Sequence, residues 1–538
     1  MLSMGFLGWN PFALSHGLNL FHDTFVNLPA GVNMTWDTTM PLASIVLWPG
    51  TALFGVITAY NTGMAAALAL DGWCTFLWLR RRVHHQPAAW IGGLMMVLGP
   101  FAASRASAHL DLLLFFPVPL LLMAVESAIR DACRPLRWGL TIGLLCAAQY
   151  FLTEEILALF VVAAGSAVII AAVVLPHDAI QRLLPLARTL GIALGVFLVL
   201  TAIPLGYQLF GPGRIVGPIQ TPNTYVTDVL NLVVPTSATA LAPPFTTGLV
   251  NQWTGFPIEA DAYVGIPLLL VALYTTVRWW EDRWLRIVAL GTCAAVVWSL
   301  GPYLHVAGVS HHVLPLPGRL LANLPVLANL LPARFDLFLD LGLAALVAVF
   351  VDRVVLAGRW RFRIMGAVAL ALVVATLAPR MPLTASASET PRYFLPGGDV
   401  ASLAPGTTAL VVPYGDSSSS MEPLLWQAQS GFRFRMVSGT IWTAGPGAAP
   451  SFGRPATTTL DCVMDALQNS GTTSGCGSDL VGAVRGDLDQ LGVKVIILGP
   501  LAYGSEPALQ APMEDFLTQV AGGPPRSDQG VEVWAYGT

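Results

Sequence analysis

Apolar and polar positions in this chain are sorted into long blocks rather than short periods. Apolar blocks of about the length that crosses a bilayer as a helix, roughly 17 to 25 residues, lie near 57–79, 87–104, 108–128, 137–152, 154–175, 189–209, 262–278, 285–302, 335–354 and 361–379. The pattern predicts about ten membrane-spanning helices. A further run from Leu42 to Gly55, broken by Pro49 and Gly50, predicts an interfacial or re-entrant helix leading into the first span. Ahead of it, His16 to Pro41 (HGLNLFHDTFVNLPAGVNMTWDTTMP) is too irregular for a span and too rich in Asn, Thr, His and Trp for a linker, so it reads as an ordered loop at a membrane surface. From about Met381 the hydropathy drops. TALVVPYG (407–414), VKVIILGP (493–500) and the terminal VEVWAYG have strand character, and RGDLDQLG reads as a helix ending at Gly492. The expected organisation is a transmembrane part, 1–380, and an α/β domain, 381–538, in which 438–458 is a long loop.

Composition agrees with this division and excludes several functions. Hydrophobic residues make up 55% and charged residues 11% of the 538, against roughly 25% charged in ordinary globular chains. Mean hydropathy is +0.65. The net charge of −4 comes without a basic stripe, so nucleic acid is not an expected partner. There is no Walker sequence, no Gly-rich dinucleotide fingerprint and no Gly-x-Ser-x-Gly elbow.

Arginine placement sets the orientation, because short cytoplasmic loops are enriched in basic residues. Arg80, Arg81 and Arg82, then Arg130, Arg134 and Arg137, then Arg182 and Arg188, then Arg278, Arg283 and Arg286, then Arg353, Arg359, Arg361 and Arg363 mark every second loop. The outer face therefore receives loops 1–56, 210–261 and 303–334 and the α/β domain. Loops of that length without regular structure tend to be lids or binding surfaces. A polar N-terminus outside the membrane with neither signal peptide nor helix before it predicts that a first transmembrane helix is missing upstream. Cys74, Cys133, Cys146 and Cys293 read as small buried hydrophobes, whereas Cys462 and Cys476 are spaced for a disulfide in an oxidising compartment.

The same orientation gathers ionisable groups near one membrane face: His22, Asp23 and Asp37; Arg105, His109 and Asp111; Glu154 and Glu155; Glu259 and Asp261; Arg334 and Asp336. A carboxylate there can act as a general base, and an opposing Arg or His can hold a phosphate. The plainer reading makes Asp111 and Asp336 helix caps, Asp71 and Asp340 structural partners, and His311 and His312 solvated loop residues. No Cys/His spacing forms a zinc site, so no metal ligand is named and no cofactor is expected, a divalent metal remaining compatible.

Taken in order, HGLNLFHDTFVNLPAGVNMTWDTTMP, AYNTGMAAALAL, AHLDLLLFFPVPLLL, QYFLTEEIL, IEADAYVGIPLL and LLPARFDLFL, followed by a soluble domain, resemble the bacterial YfhO-like membrane proteins and related C-fold glycosyltransferases over nearly the whole chain. The resemblance implies a mainly α polytopic membrane protein of that fold with an extracytoplasmic C-terminal α/β domain, in the inner or plasma membrane. It implies sugar transfer from a polyprenyl-phosphate donor to a cell-envelope glycan or lipid-linked acceptor, among membrane lipids. A catalytic acid in the first outer loop points to Asp23, followed by Glu155 and Glu154. Arg105, His109 and Arg334 are then expected to hold the donor phosphate, and His22, Asp37, Glu259 and Tyr263 to contact substrate. The competing expectations are a lipid or polysaccharide transporter or flippase, and a non-catalytic partner of a cell-envelope synthase.

Overall fold

A computed structural model describes residues 1–381, 390–415, 421–501 and 507–537, with backbone alone for 177–183 and 507–508. The chain packs as two compact units, one of residues 62–201 and 220–385 and the other of residues 1–61, 202–219 and 386–538. Residues 1–61 and 202–219 group with the C-terminal part.

In the first unit every predicted span that it contains becomes helical. Across the described residues five helices are long and apolar enough to cross a membrane, Val56–Leu79, Leu110–Arg130, Glu154–Val174, Leu184–Phe210 and Trp360–Leu377. Others are shorter or broken. Gln86–Leu98 stops at Gly99 and restarts as Pro100–Arg105, because proline fits the first turn of a helix but not its interior.

Helix Asp336–Phe350 is the centre of this unit. It is buried along its whole length, as its apolar character on every side demands, and continues into a π-helical turn, Val351–Leu356. It packs against Gln86–Leu98, Gly265–Arg278 and Arg283–Ser299. Small residues set the approach: a Cβ at Gly342 would meet Thr292 Oγ1 at 2.0 Å, and one at Gly92 would meet Ala348 Cβ at 3.0 Å. The acids in these helices serve backbone and hydroxyl groups. Asp340 Oδ2 accepts from the Phe101 N–H at 3.1 Å, where Pro100–Arg105 begins, and Asp336 Oδ2 accepts from Thr227 Oγ1 at 2.9 Å. Asp71 faces the backbone N–H groups of Phe115 and Phe116, where Pro117–Arg130 begins. At the arginine-rich end, Glu126 takes the indole N–H groups of Trp78 and Trp284 at 3.2 and 3.1 Å and pairs with Arg82 at 2.5 Å.

The second unit is built on a five-stranded sheet in the order Arg526–Asp528, Val531–Ala535, Val495–Leu498, Thr407–Val412, Phe434–Met436, whose last three strands are parallel. Its central strands are apolar on both faces, as parallel strands covered on both sides must be. Leu410, Val412, Ile496 and Leu498 face Thr459–Ser470, Leu480–Leu491 and Pro507–Ala521. Ala409, Val411 and Ile497 face Trp426, Phe394 and the N-terminal helix Leu2–Ser15 through Phe6 and Trp9.

That helix was not expected from the sequence. It lies so close to Glu422–Gln429 that a Cβ at Gly8 would meet Ala428 Cβ at 2.9 Å. Asn10, fully buried, ties it to residues 39–44 by donating to the Thr39 carbonyl at 2.9 Å and to Ser44 Oγ at 3.0 Å. Residues 24–28 run beside Phe434–Met436, with Met436 N donating to Phe25 O at 2.7 Å and Leu28 N to Met436 O at 3.4 Å. The stretch 16–41 therefore closes the edge of the α/β sheet. The helix Pro41–Phe54 falls where an interfacial or re-entrant helix was expected and leaves Val46, Leu53 and Phe54 exposed.

The region 438–458 departs from the expected long loop. Trp442–Ala444 and Pro450–Phe452 pair antiparallel, with Trp442 against Phe452. Cys462 and Cys476 form the expected disulfide. Of the four cysteines expected to be buried, Cys74 is buried and Cys146 partly so, whereas Cys133, in the turn between Pro117–Arg130 and Pro135–Leu152, and Cys293, on the helix Arg283–Ser299, are exposed.

Where residues 24–28 meet the sheet, a Cβ on Gly439 would meet Val26 Cγ1 at 2.3 Å. Gly439→Ala is expected to lower stability by about 1–3 kcal/mol and to have little effect once Val26→Ala has cleared the contact. Thermal unfolding of the four members of this cycle measures the coupling; additive losses would show that the two residues do not touch.

Candidate functional site

The site is assembled from chain breaks between helices in the first unit. Arg105 ends the helix Pro100–Arg105, Glu155 lies in the first turn of Glu154–Val174, Glu259 ends the 3-10 turn Pro257–Glu259 with Asp261 just beyond, and Arg334 lies in the 3-10 turn Pro332–Phe335. Proline opens three of these elements. Ser104 Oγ binds the Ile258 carbonyl at 2.5 Å and brings two of the breaks together.

The five side chains form a ladder of alternating charge. Glu155 pairs with Arg334, and Arg334 Nη2 reaches Glu259 Oε1 at 3.0 Å. Glu259 Oε2 pairs with Arg105 Nη2 at 2.6 Å, and the same nitrogen reaches Asp261 Oδ2 at 2.7 Å. Arg105 is 0% exposed and Asp261 2%. Ions so deeply desolvated persist only when paired.

The neighbours set each group's proton affinity. Burial works against the charge on Glu259, but Arg105 and Arg334 outweigh it and hold the carboxyl well below the usual range. Burial likewise opposes the charge on each arginine, and the carboxylates more than offset it, so both guanidiniums stay charged. At Asp261 burial prevails over Arg105, and with Glu259 repelling a second charge the carboxyl is raised to about 7. The ladder thus has a permanent anion in its middle and an acid that titrates near neutrality at one end. Arg105 Nε and Nη1 and Asp261 Oδ1 are buried without a hydrogen-bond partner, and the Phe101 ring lies 5.2 Å from the Arg105 guanidinium carbon.

A small cavity lies near each end. Toward the Glu155 end, reached through Leu331, whose N–H binds Glu155, Leu331, Leu327 and Phe335 supply an apolar wall and Thr221, Asn223 and Tyr225 a polar one. At the Asp261 end the lining includes Ser104, Thr236, Thr239 and Tyr263.

Of the residues singled out from the sequence, the fold brings Arg105, Glu155, Glu259 and Arg334 into direct contact. His109 stands beside Asp111 at 3.8 Å, within the field of Arg105 and Arg334. Tyr263 lies at the Asp261 end of the ladder, and Glu154, partly exposed, occupies the same helical turn as Glu155. His22, Asp23 and Asp37 belong to the other unit. There Asp23 is 3% exposed, its Oδ1 accepts from Phe25 N at 2.6 Å, and Phe6, Trp9 and Phe432 share a cavity with it. Burial raises its carboxyl to about 7 against that hydrogen bond and Arg435. Burial lowers the imidazole of His22, against a bond with the Ala30 backbone. Asp37 Oδ1 accepts from Trp442 N at 3.2 Å and so holds the hairpin 442–452. The sequence named Asp261 without giving it a role, and Tyr225 and the Leu331 N–H not at all. The spacing of Glu259 and Asp261 between a Pro and an apolar run was the available sign for the first, and no sign marked the others. Among the described residues, no group of three or more His, Cys, Asp or Glu side chains is arranged to hold a metal ion.

Two outcomes are expected. Arg105→Met leaves Glu259 and Asp261 facing each other and should cost about 3–5 kcal/mol, read by denaturant or thermal unfolding. At Asp23 the carboxyl is raised from 3.8 to about 7, so the folded chain binds its proton more tightly than the unfolded chain, and the stability contributed falls as pH rises from about 4 to about 7. Asp23→Asn can keep the Phe25 bond and should flatten that part of the profile, raising the unfolding midpoint at pH 8 more than at pH 5.

No family model matches this sequence, and no curated protein matches it. Among solved structures, the arabinofuranosyltransferase AftD from Mycobacteria aligns with 99% of this chain at 15% identity and a TM-score of 0.53, this chain spanning 39% of that one. The archaeal oligosaccharyltransferase AglB from Archaeoglobus fulgidus, in complex with an inhibitory peptide and a dolichol-phosphate, aligns with 92% at 13% identity and 0.45, 65% of its own length being covered. ArnT from Cupriavidus metallidurans, bound to undecaprenyl phosphate, aligns with 100% at 13% identity and 0.38, with 94% of its length covered. The chain shares its fold with the part of the arabinofuranosyltransferase that it spans, and the resemblance to C-fold membrane glycosyltransferases holds at the level of the fold.

Proposed function

We propose that this chain transfers a sugar, outside the cytoplasm, from a polyprenyl-phosphate donor to a glycan or lipid-linked acceptor of the cell envelope. The observation that carries the reading is the ladder itself: two buried arginines and three carboxylates at helix ends that the arginine pattern assigns to the outer face. The fold shared with an arabinofuranosyltransferase supports it. The Cys462–Cys476 disulfide supports an oxidising compartment for the α/β unit.

In this reading the polyprenyl chain lies along apolar helix surface and the donor phosphate meets Arg334, with Arg105 and His109 behind it. A carboxylate takes the proton of the acceptor hydroxyl. The hydroxyl oxygen then bonds to the anomeric carbon as the bond from that carbon to the phosphate oxygen breaks, its electron pair leaving with the phosphate. Arginines stabilise that departing charge. Glu155, at the end of the ladder and hydrogen-bonded to Leu331 in the wall of the amphipathic cavity, is assigned the proton; Asp23 and Glu154 are the other carboxylates to be weighed. Glu259, held ionised by two guanidiniums, positions both arginines, and His22, Asp37 and Tyr263 are left as substrate contacts.

The test is transfer of labelled sugar from a polyprenyl phosphate by the purified chain. Glu155→Gln is expected to lower kcat by about 10²–10⁴ with the chain still folded. Loss in Asp23→Asn with full activity in Glu155→Gln would move the base to the N-terminal loop. Unchanged transfer in Glu155→Gln, Glu154→Gln and Asp23→Asn alike would overturn the catalytic assignment, and absence of transfer by the unaltered chain from any polyprenyl-phosphate sugar would overturn the reading.

A further inference from the structure

The Glu155 carboxylate occupies a cradle that its own helix does not supply. Arg334 Nη1 donates to Oε2, and the backbone N–H of Leu331 donates to Oε1 at 3.2 Å. A guanidinium beside a backbone N–H holds a phosphate oxygen as readily as a carboxylate. Leu331, which supplies that N–H, also lines the amphipathic cavity with Tyr225 and Asn223.

The members of the ladder differ in how firmly they are held. Glu259 is shared between two arginines with its side chain 7% exposed, and Arg105 is 0% exposed. Glu155 is bound to one arginine only, is 14% exposed and stands at the end. Arg105 has Nε and Nη1 unpartnered although wholly buried, whereas Arg334 spends Nε and Nη2 on Glu259 and only Nη1 on Glu155. An incoming anion can therefore replace Glu155 while Glu259 keeps both arginines in place.

Resting on the lipid-phosphate reading above, we propose that Glu155 is a stand-in for the donor phosphate: a phosphate oxygen displaces it from Arg334 and the Leu331 N–H, and the displaced carboxylate is thereby made available as the base. While bridged to Arg334 and the Leu331 N–H both carboxylate oxygens are occupied. Once displaced they can accept the acceptor's proton next to the bound sugar. Binding of the donor and activation of the base are then one event. The acceptor's proton goes to Glu155, the new bond forms from the acceptor oxygen to the anomeric carbon, and the phosphate keeps the electron pair of the broken bond and remains on Arg334.

The stand-in makes a prediction opposite in sign to that for an ordinary binding residue. Removing the competing charge with Glu155→Gln should tighten farnesyl phosphate, a short polyprenyl phosphate, by about tenfold, the order of one released charge-assisted hydrogen bond, with farnesol unchanged. Arg334→Gln should abolish the gain. Equilibrium binding to the full chain in detergent measures both, with inorganic phosphate as a third ligand to separate the headgroup from the chain. If Glu155→Gln does not fold, Glu155→Asp, one methylene short of Arg334, should show a smaller gain. Unchanged or weaker farnesyl phosphate binding in these variants, with Arg334→Gln still lowering affinity, overturns the stand-in and leaves the lipid-phosphate reading in place. Equal binding of farnesyl phosphate and farnesol by the unaltered chain and Glu155→Gln overturns both.

Discussion

A guanidinium removed from water must be paired, and that requirement organises the helical unit. Arg105 sits at 0% exposure, so Glu259 and Asp261 have to come to it. Because Glu259 also holds Arg334, and Arg334 holds Glu155, one buried charge draws together four chain segments that are far apart in sequence. The lengths of the two long connections reflect this. The 210–261 segment must end with its two acids inside the unit, and 303–334 must return to deliver Arg334 and the Leu331 N–H. Between those ends the chain is fastened locally, as where Asp228 receives the N–H groups of Ala307 and Gly308 at 3.2 and 2.8 Å and fixes the turn of the hairpin Tyr303–Val306 and Val309–Pro315.

A second constraint operates in the α/β unit. A sheet whose central strands are apolar on both faces needs two covers, and the helices of residues 459–521 supply one. The other is completed by Leu2–Ser15, with Phe6 and Trp9 reaching the core. This gives the stretch 16–41 its geometry: it must leave that helix, close the sheet edge at Met436 and place Asn33 where its side-chain amide meets the carbonyls of Tyr207 and Pro212 at 3.1 and 2.9 Å. Asp23 and Asp37, read from the sequence as polar groups of a surface loop, are buried by this closure.

What the sequence disclosed depends on which physical signals are local. Apolar blocks and the arginine alternation report on bilayer thickness and orientation residue by residue, and each block in the helical unit became helix. Strands 407–412 and 495–498 were legible because two-sided burial leaves a continuous apolar run. The helix Leu2–Ser15 was not, since LSMGFLGWNPFALS has an internal proline, no capping side chain and apolar residues on all sides. The hairpin 442–452 was hidden because its strands are three residues each among Gly and Pro. The candidate acids and arginines of the ladder could be gathered to one face from the sequence, but their partners could not be assigned, because pairing depends on how the elements carrying residues 105, 155, 259 and 334 terminate in space.

The cover provided by Leu2–Ser15 also has a consequence for biosynthesis. These residues are synthesised long before the strands they cover, 407–412 and 495–498. Throughout translation of the intervening helices the apolar side chains of Phe6 and Trp9 have no sheet to occupy, and when the sheet forms its matching face is open until Leu2–Ser15 returns to it. Completion of the α/β unit is therefore a closure over a separation of roughly four hundred residues, a slow, high-contact-order event compared with the local pairing of neighbouring helices.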